Sequence, residues 1–237
     1  MTQPENQDRG GLSSPQSEFD KFVYAVSHDL QEPLRGVSAF LKLLDQKYSD
    51  QLDEQAQTYI NFTLENAEKM RQMIYALVDL SRVSRNNEEK EVINMNELAA
   101  NVWLMYNNAP AASGASFIAE DLPQIKGIST QLVQLMQVLF QNSVDNKSEK
   151  PLEIHFDCKE EKDLYKFSFA DNGKGIPEAY QDSIFEIFRK ADPKSGKAGA
   201  GLTIARAIVE KHGGKISLTS IEDQGTTVYF TWPKESS

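Results

Sequence analysis

Two long segments near the N-terminus carry apolar residues at every third or fourth position, the period of an α-helix with one buried face. The first segment runs from about Glu18 to Gln46, and the second from about Glu54 to Arg85. Between them, Tyr48 to Asp53 predicts a turn. Two long helices with a short connection form an antiparallel hairpin, and a single hairpin leaves its apolar stripe in water. We therefore expect a homodimer in which two hairpins form a four-helix bundle.

The pattern changes after a charged segment, Arg85 to Lys90, which is the expected linker. Helical periodicity follows over about 96–105, 129–147, 177–188 and 202–212, and strand-like segments over 116–120, 124–128, 152–157, 164–169, 215–220 and 226–232. Strands and helices in separate runs predict an α+β sandwich with helices on one face of a mixed sheet. The predicted units are therefore a disordered polar leader (1–17), a helical hairpin (18–85) and an α+β domain (90–235).

Composition and charge narrow the function classes. The 237 residues include 25 Lys and Arg against 35 Asp and Glu, which gives a net charge of −10. A general nucleic-acid binder presents a basic face, so no nucleic-acid partner is expected. No apolar run approaches the ~20 residues that a membrane span needs, and the N-terminus lacks the pattern of an export signal. Together with the single cysteine, Cys158, these features predict a cytoplasmic protein with no membrane span.

One histidine lies in an unusual position on the first helix. At ~3.6 residues per turn, His28 is about 200° from Val26 and from Leu30, so it falls off the apolar stripe and faces water. A carboxylate, Asp29, follows it directly. The imidazole is thus predicted to be accessible for chemistry.

The segment around this histidine, Ser27 to Arg35 (Ser-His-Asp-Leu-Gln-Glu-Pro-Leu-Arg), resembles the phospho-acceptor box of sensor histidine kinases, closest to the phytochrome-like branch. The resemblance implies that Nε2 of His28 is the nucleophile. It also implies that Asp29 orients the imidazole and accepts its proton.

Two glycine-containing segments in the second half resemble the ATP-binding boxes of the same family. Asp171 to Pro177 (Asp-Asn-Gly-Lys-Gly-Ile-Pro) matches the first glycine box, in which the aspartate accepts a hydrogen bond from the adenine amino group. Its glycines, Gly173 and Gly175, would let the backbone approach the nucleotide closely. Gly199 and Gly201 open a helix whose N-terminal amides would hold the phosphates. Residues 191–198 between the boxes are expected to form a lid.

A third segment, Gln131 to Glu149, resembles the asparagine box, in which Asn142 would hold Mg²⁺. Three positions depart from the family pattern: Val138 replaces an asparagine, Asp145 replaces a basic residue, and Lys197 replaces a glycine. A carboxylate beside a triphosphate is unfavourable unless a cation bridges it. Lys147 is the expected compensating cation.

Three other side chains with reactive groups are expected to be structural. His155 falls on a strand, and Cys158 has no basic neighbour, so a small apolar filler is expected there. His212 ends a predicted helix, where a positive charge suits the helix dipole.

The resemblance covers about Glu18 to Trp232 and implies a cytoplasmic two-component histidine kinase. Such an enzyme uses ATP and Mg²⁺ to phosphorylate His28 and passes the phosphate to an aspartate of a response-regulator receiver. Because the leader leaves no room for a sensory domain, the signal would come from a separate sensor protein. The departures at Val138, Asp145 and Lys197 leave an alternative open, an ATP-independent dimeric phosphotransferase that relays phosphate between receivers through His28. A scaffold without phosphate chemistry is disfavoured by the intact histidine box.

Overall fold

The computed structural model describes residues 15–86, 88–107, 114–189 and 199–234. Most of the predicted leader, and the predicted lid with Lys197, lie outside the described residues. Within the described part of the chain, none of the helices combines the length and the apolar character needed to cross a membrane.

The predicted helical hairpin is confirmed. Helix α1 spans Pro15–Tyr48 and continues through Pro33, and α2 spans Glu54–Arg85 after a short 3₁₀ turn at Ser49–Gln51. Asp53 fixes the start of α2, because its Oδ1 accepts a hydrogen bond from the backbone N–H of Ala56 at 2.7 Å. This cap satisfies one of the amide groups that a helix N-terminus leaves unpaired.

The hairpin leaves much of its apolar surface in solvent. Leu34, Ala67 and Ile74 form a small buried group between the two helices. The large apolar side chains that remain exposed on α1 and α2 are Val26, Leu30, Val37, Phe40, Leu43, Leu44, Tyr48, Tyr59, Phe62, Met70, Tyr75 and Leu77. So many exposed large apolar side chains on one pair of helices indicate a surface for association.

The second domain consists of a mixed sheet and three main helices. Its elements, in chain order, are β1 (Glu91–Asn94), α3 (Met95–Asn107), β2 (Ser116–Ala119), β3 (Gln124–Gly127), α4 (Ser129–Asp145), β4 (Glu153–Glu160), β5 (Leu164–Asp171), α5 (Glu178–Gln181), α6 (Gly201–Lys211), β6 (Ile216–Ile221) and β7 (Gly225–Pro233). The main sheet has the order β2-β4-β5-β7-β6, in which only the β2–β4 pair is parallel. A separate antiparallel pair joins β1 and β3. The predicted α+β sandwich is therefore confirmed.

One strand was missed and one predicted helix was wrong. The strand β1 was missed, because it has only four residues beside a charged segment and is defined by its pairing with β3. The predicted helix over 177–188 is reduced to α5, and turns follow it. Phe188 adopts a left-handed backbone angle, φ 65°, which cannot continue a right-handed helix.

Aromatic packing fixes helix α4 on the sheet. The Phe140 ring, fully buried, has its centroid 5.3 Å from that of Trp103, 4.9 Å from that of Phe117 and 5.1 Å from that of Phe169. The contacts with Phe117 and Phe169 are edge to face, a favourable arrangement of aromatic rings. Strand burial alternates, so one face of the sheet meets the helices and the other faces solvent.

The C-terminal end of α2 docks onto the second domain. Val83 is 2% exposed and belongs to the core of that domain. Its carbonyl accepts hydrogen bonds from Nε2 of Gln131 at 3.0 Å and from Nζ of Lys211 at 2.5 Å. Lys211 also donates to the carbonyls of Ser84 and Asn86. Side chains of α4 and α6 thus satisfy carbonyl groups that a helix C-terminus leaves unpaired.

His212 is structural, but it is a buried neutral acceptor and not the expected cation. Its Nε2 lies 3.1 Å from the backbone N of Ile128, which donates to it, and its Nδ1 lies 2.8 Å from the carbonyl of Ile208. Burial lowers the pKa of the imidazole, the hydrogen bond to the Ile208 carbonyl acts in the opposite direction, and the nearby charges of Lys90 and Lys211 add to the lowering. The ring also stacks on Trp232, with 4.4 Å between centroids.

This arrangement predicts a pH-dependent stability. An unfolded histidine titrates near pH ~6.5, so below that pH the unfolded chain binds a proton that folded His212 resists. The free energy of unfolding should therefore fall as the pH drops from about 7.5 to 5.5, with a contribution from His212 of up to about 1.4 kcal/mol. Urea unfolding followed by tryptophan fluorescence measures this, because both tryptophans, Trp103 and Trp232, lie in the second domain. The variant His212→Gln should lose that part of the pH dependence, and an unchanged dependence in the variant would contradict the assignment.

Candidate active site

His28 lies on the solvent-exposed side of α1, as predicted. Its side chain is 70% exposed, and its Nδ1 lies 3.3 Å from Oδ1 of Asp29. When Nδ1 carries the proton and donates it to Asp29, Nε2 keeps its lone pair. The pair therefore presents a nucleophilic nitrogen to solvent with a carboxylate on the opposite side of the ring.

A cavity of about 540 Å³ opens in the second domain between α4, the end of β5 and the start of α6. Five of the site residues predicted from the sequence line this cavity: Asn142, Asp171, Gly175, Gly199 and Gly201. Gly173 lies in the loop beside the cavity, and Lys147 is exposed just after α4; neither belongs to the lining. His28 lies on the hairpin, so the structure places the predicted residues in two separate groups.

Asp171 ends β5 with its carboxylate held by three hydrogen bonds. Oδ1 accepts from the backbone N–H of Gly173 at 2.9 Å and from that of Thr226 at 3.3 Å. Oδ2 accepts from the hydroxyl of Ser143 at 2.8 Å. Burial raises the pKa of the Asp171 carboxyl above its ordinary value, and the three hydrogen bonds act in the opposite direction.

The glycine-box loop is packed tightly against the protein itself. A Cβ on Gly173 would lie 2.6 Å from the carbonyl oxygen of Asn146, and a Cβ on Gly175 would lie 2.1 Å from that of Ile221. Gly175 also has a left-handed φ of 70°. From the sequence, these two glycines were explained by the close approach of a nucleotide. The structure adds a second explanation, because neighbouring backbone also excludes a side chain at both positions.

Asn142 faces the N-terminus of α6. A Cβ on Gly201 would lie 3.6 Å from Oδ1 of Asn142 and 3.3 Å from Cγ1 of Val138. Nδ2 of Asn142 is buried and has no hydrogen-bond partner among the described residues. Buried polar groups are normally paired, so this amide is suited to a ligand in the cavity.

The residues present fit a magnesium–nucleotide pair better than a bare metal ion. The described residues contain no group of three or more His, Cys, Asp or Glu side chains arranged to hold a metal. Mg²⁺ usually takes only one or two protein oxygens and completes its shell with phosphate and water. Oδ1 of Asn142 is an oxygen of the required kind at the wall of the cavity.

Charged side chains of both signs line the same cavity. Lys174 and Arg189 are cations that the sequence analysis did not select, although Lys174 lies inside the glycine box. The acidic lining comprises Asp145, Asp171, Glu222 and Asp223. Asp145 accepts a hydrogen bond from Nε2 of Gln141 at 2.6 Å, which disperses part of its charge. Ser143 was also missed, because a serine inside a helix carries no signal in the sequence.

Comparison with known families agrees with this two-part site. Residues 20–86 match the model of the His Kinase A (phospho-acceptor) domain. Residues 127–236 match the model of the histidine kinase-, DNA gyrase B- and HSP90-like ATPases.

Curated relatives match nearly the whole chain. Cyanobacterial phytochrome A of Nostoc sp. (strain PCC 7120) is 34% identical over 94% of this chain and 29% of its own length. The sensor protein kinase WalK of Staphylococcus epidermidis is 30% identical over 91% of this chain and 36% of its own length. The chain thus spans about a third of the length of these two relatives.

Solved structures share the fold. Full-length ShkA in complex with AMPPNP superposes with a TM-score of 0.65 at 21% identity, over 92% of this chain and 46% of that chain. The histidine kinase ThkA in complex with the response regulator TrrA gives 0.62 at 19% identity, over 93% and 64%. With a His Kinase A phospho-acceptor domain followed by a histidine kinase-type ATPase domain, the chain belongs to the histidine kinases.

Proposed function

We propose that this chain is the catalytic core of a two-component system, in which ATP phosphorylates His28 and the phosphate passes to an aspartate of a response-regulator receiver. The observation that carries the proposal is the presence in one chain of an exposed His28–Asp29 pair and of a cavity lined by Asn142, Asp171 and Gly201. The complex of ThkA with a response regulator, in a protein of the same fold, supports the second step.

In the first step, Nε2 of His28 attacks the γ-phosphorus of ATP. The N–P bond forms as the bond from phosphorus to the bridging oxygen breaks, and ADP leaves. The imidazolium that results can pass its Nδ1 proton to Asp29, which lies 3.3 Å away. Phosphoryl transfer depends on positioning and charge stabilisation more than on covalent chemistry, and the rest of the site supplies these.

The cavity divides into a base-binding end and a phosphate-binding end. Asp171 is the acceptor for the adenine amino group, and the backbone amides at Gly199 and Gly201 meet the phosphates at the start of α6. Asn142 would hold Mg²⁺, which supplies charge neutralisation on the phosphate oxygens when it is bound. Because Lys147 lies outside the lining, the proposal gives the compensating role to Lys174 and Arg189.

The alternative of a phosphotransferase without ATP has less support. It was suggested by Val138, Asp145 and Lys197, of which Lys197 lies outside the described residues. Val138 packs at the start of α6 and leaves the cavity open. One oxygen of Asp145 is occupied by a hydrogen bond from Gln141. The buried, unpaired amide of Asn142 and the paired carboxylate of Asp171 favour a nucleotide-binding site.

The proposal also includes a homodimer in the cytoplasm, where ATP is available. The exposed apolar face of α1 and α2 is the surface on which two copies would pair. A response-regulator receiver is the further partner proposed, and the net charge of −10 argues against nucleic acid.

The first prediction concerns the phosphate acceptor. His28→Gln removes the nucleophile, so labelling of the protein by radiolabelled ATP with magnesium should fall to background. His155→Gln is the matched control, because His155 is exposed on β4 and belongs to neither part of the site. Labelling that persists in His28→Gln would contradict the proposal.

The second prediction separates the kinase from the phosphotransferase. Asp171→Asn should weaken ATP binding by about 1.5–3 kcal/mol, the scale of a hydrogen bond to a charged group, while His28 still accepts phosphate from a phosphorylated receiver. Asp157→Asn is the matched control, since Asp157 is an exposed carboxylate on the neighbouring strand. If calorimetry shows that the wild-type chain binds no nucleotide and still exchanges phosphate with receivers, the phosphotransferase is the correct assignment.

The third prediction concerns assembly. Light scattering at micromolar concentration should give twice the chain mass of 26.7 kDa. Val37→Glu places a charge on the exposed apolar face of α1 and should shift the protein toward monomer, whereas Gln46→Glu, near the end of the same helix, should not. A monomeric wild-type chain would contradict pairing through the hairpin.

A further inference from the structure

Ser143 is a polar residue at a buried position of α4. Its side chain is 1% exposed and lies on the buried side of the helix, between Asn142 and the core residue Val144. A serine inside a helix usually bonds the carbonyl one turn earlier. Here the hydroxyl bonds Oδ2 of Asp171 instead, at 2.8 Å and across 28 positions of sequence.

This bond fixes the hydrogen-bonding role of both side chains. A serine hydroxyl has a single proton, and an ionised carboxylate can only accept. The proton of Ser143 is therefore directed at Oδ2, while the backbone amides of Gly173 and Thr226 occupy Oδ1. Among the described residues, Ser143 supplies the one side-chain donor found on this carboxylate.

The protonation state of Asp171 determines whether it can accept a hydrogen bond from a ligand group or donate one to it. Burial favours the neutral carboxyl, which carries a proton and can donate, whereas the three hydrogen bonds favour the ionised form. An amino group at position 6 of a purine donates hydrogen bonds, and an oxo group at the same position accepts them. An ionised Asp171 therefore suits an aminopurine, and a neutral one also tolerates an oxopurine.

We propose that Ser143 is a positioning residue which, by donating to Oδ2 of Asp171, makes the cavity select 6-aminopurine nucleotides over 6-oxopurine nucleotides. The inference rests on the proposed function, because it assigns Asp171 to the base of a bound nucleotide. The inference assigns a residue of α4 a part in selecting the purine base. It also gives a chemical reason for the polar side chain of Ser143 at a fully buried position.

Calorimetric titration with MgATP and with magnesium inosine triphosphate tests the selection, since inosine carries an oxo group where adenosine carries the amino group. In Ser143→Ala, ATP binding should be about three- to tenfold weaker, the effect of one net hydrogen bond. Binding of inosine triphosphate should be unchanged or tighter. The ratio of the affinity for ATP to the affinity for inosine triphosphate should therefore fall by at least about three- to tenfold.

Two further variants separate positioning from general damage to the site. Ser148→Ala removes a hydroxyl that donates to the carbonyl of Asn172 at 3.3 Å and does not contact Asp171, so the ratio of the two affinities should not change. Ser143→Cys keeps a side chain of similar size with a weak donor, and should lose most of the preference while remaining folded by tryptophan fluorescence.

The double variant with Asp171→Asn tests whether Ser143 acts through Asp171. In that background, Ser143→Ala should change ATP affinity less than twofold. In autophosphorylation assays, Ser143→Ala should raise the KM for ATP and leave kcat at saturating ATP nearly unchanged, because the base is remote from the transferred phosphate.

The outcomes distinguish this inference from the proposed function. A wild-type chain that binds neither nucleotide would overturn both. If the wild-type chain binds ATP but Ser143→Ala keeps the wild-type ratio of affinities, the inference alone is wrong. A loss of preference that persists in full in the Asp171→Asn background would likewise overturn it.

Discussion

The contact between Phe140 of α4 and Phe169 of β5 is the constraint on which the site depends. Their rings meet edge to face with 5.1 Å between centroids, inside a fully buried aromatic group. The residue three positions after Phe140 is Ser143, and the residue two positions after Phe169 is Asp171. Ser143 is thus about one helical turn from Phe140, and Asp171 is one strand repeat from Phe169. The packing of the two rings therefore sets the distance between the serine hydroxyl and the carboxylate. Protein interiors are packed densely enough to keep these two side chains in the same relative position.

Backbone contacts within the protein hold the loop after Asp171 in place. A side chain at Gly173, Gly175 or Gly225 would collide with a carbonyl oxygen of the protein itself. The N–H of Lys174 donates to the carbonyl of Asn146 at 2.8 Å, and the N–H of Asp223 donates to the carbonyl of Lys174 at 2.7 Å. The wall that would meet the base is therefore preorganised, which reduces the entropic cost of binding.

The two groups of site residues belong to different domains, and the end of α2 joins those domains. Val83 lies in the core of the second domain, and its carbonyl is bonded by side chains of α4 and α6. Contacts with the second domain continue into the segment predicted as the linker, because Lys211 also donates to the carbonyls of Ser84 and Asn86. In the proposed reaction, a phosphate held at α6 would have to reach the imidazole on α1, and α6 touches both the cavity and the end of α2. That helix is placed to couple the two parts of the molecule.

Local sequence determined much of this protein. The helical period predicted α1 and α2, strand-like segments predicted the strands of the main sheet, and the position of His28 off the apolar stripe predicted its exposure. Resemblance of short segments indicated Asn142, Asp171, Gly199 and Gly201, whose roles stay predictions. These features depend on residues close together in the chain, where periodicity and turn chemistry are informative.

Tertiary structure alone decided the rest, because the deciding contacts join residues far apart in sequence. The bond from Ser143 to Asp171 spans 28 positions, and no local pattern marks a helical serine as its partner. The amide of Ile128 meets His212 across 84 positions, and with burial it makes His212 a neutral acceptor where the helix dipole alone suggested a cation. The strand β1 exists through its pairing with β3. In each case a partner distant in sequence decides the outcome, helped at His212 by desolvation, and such a partner cannot be read from neighbouring residues.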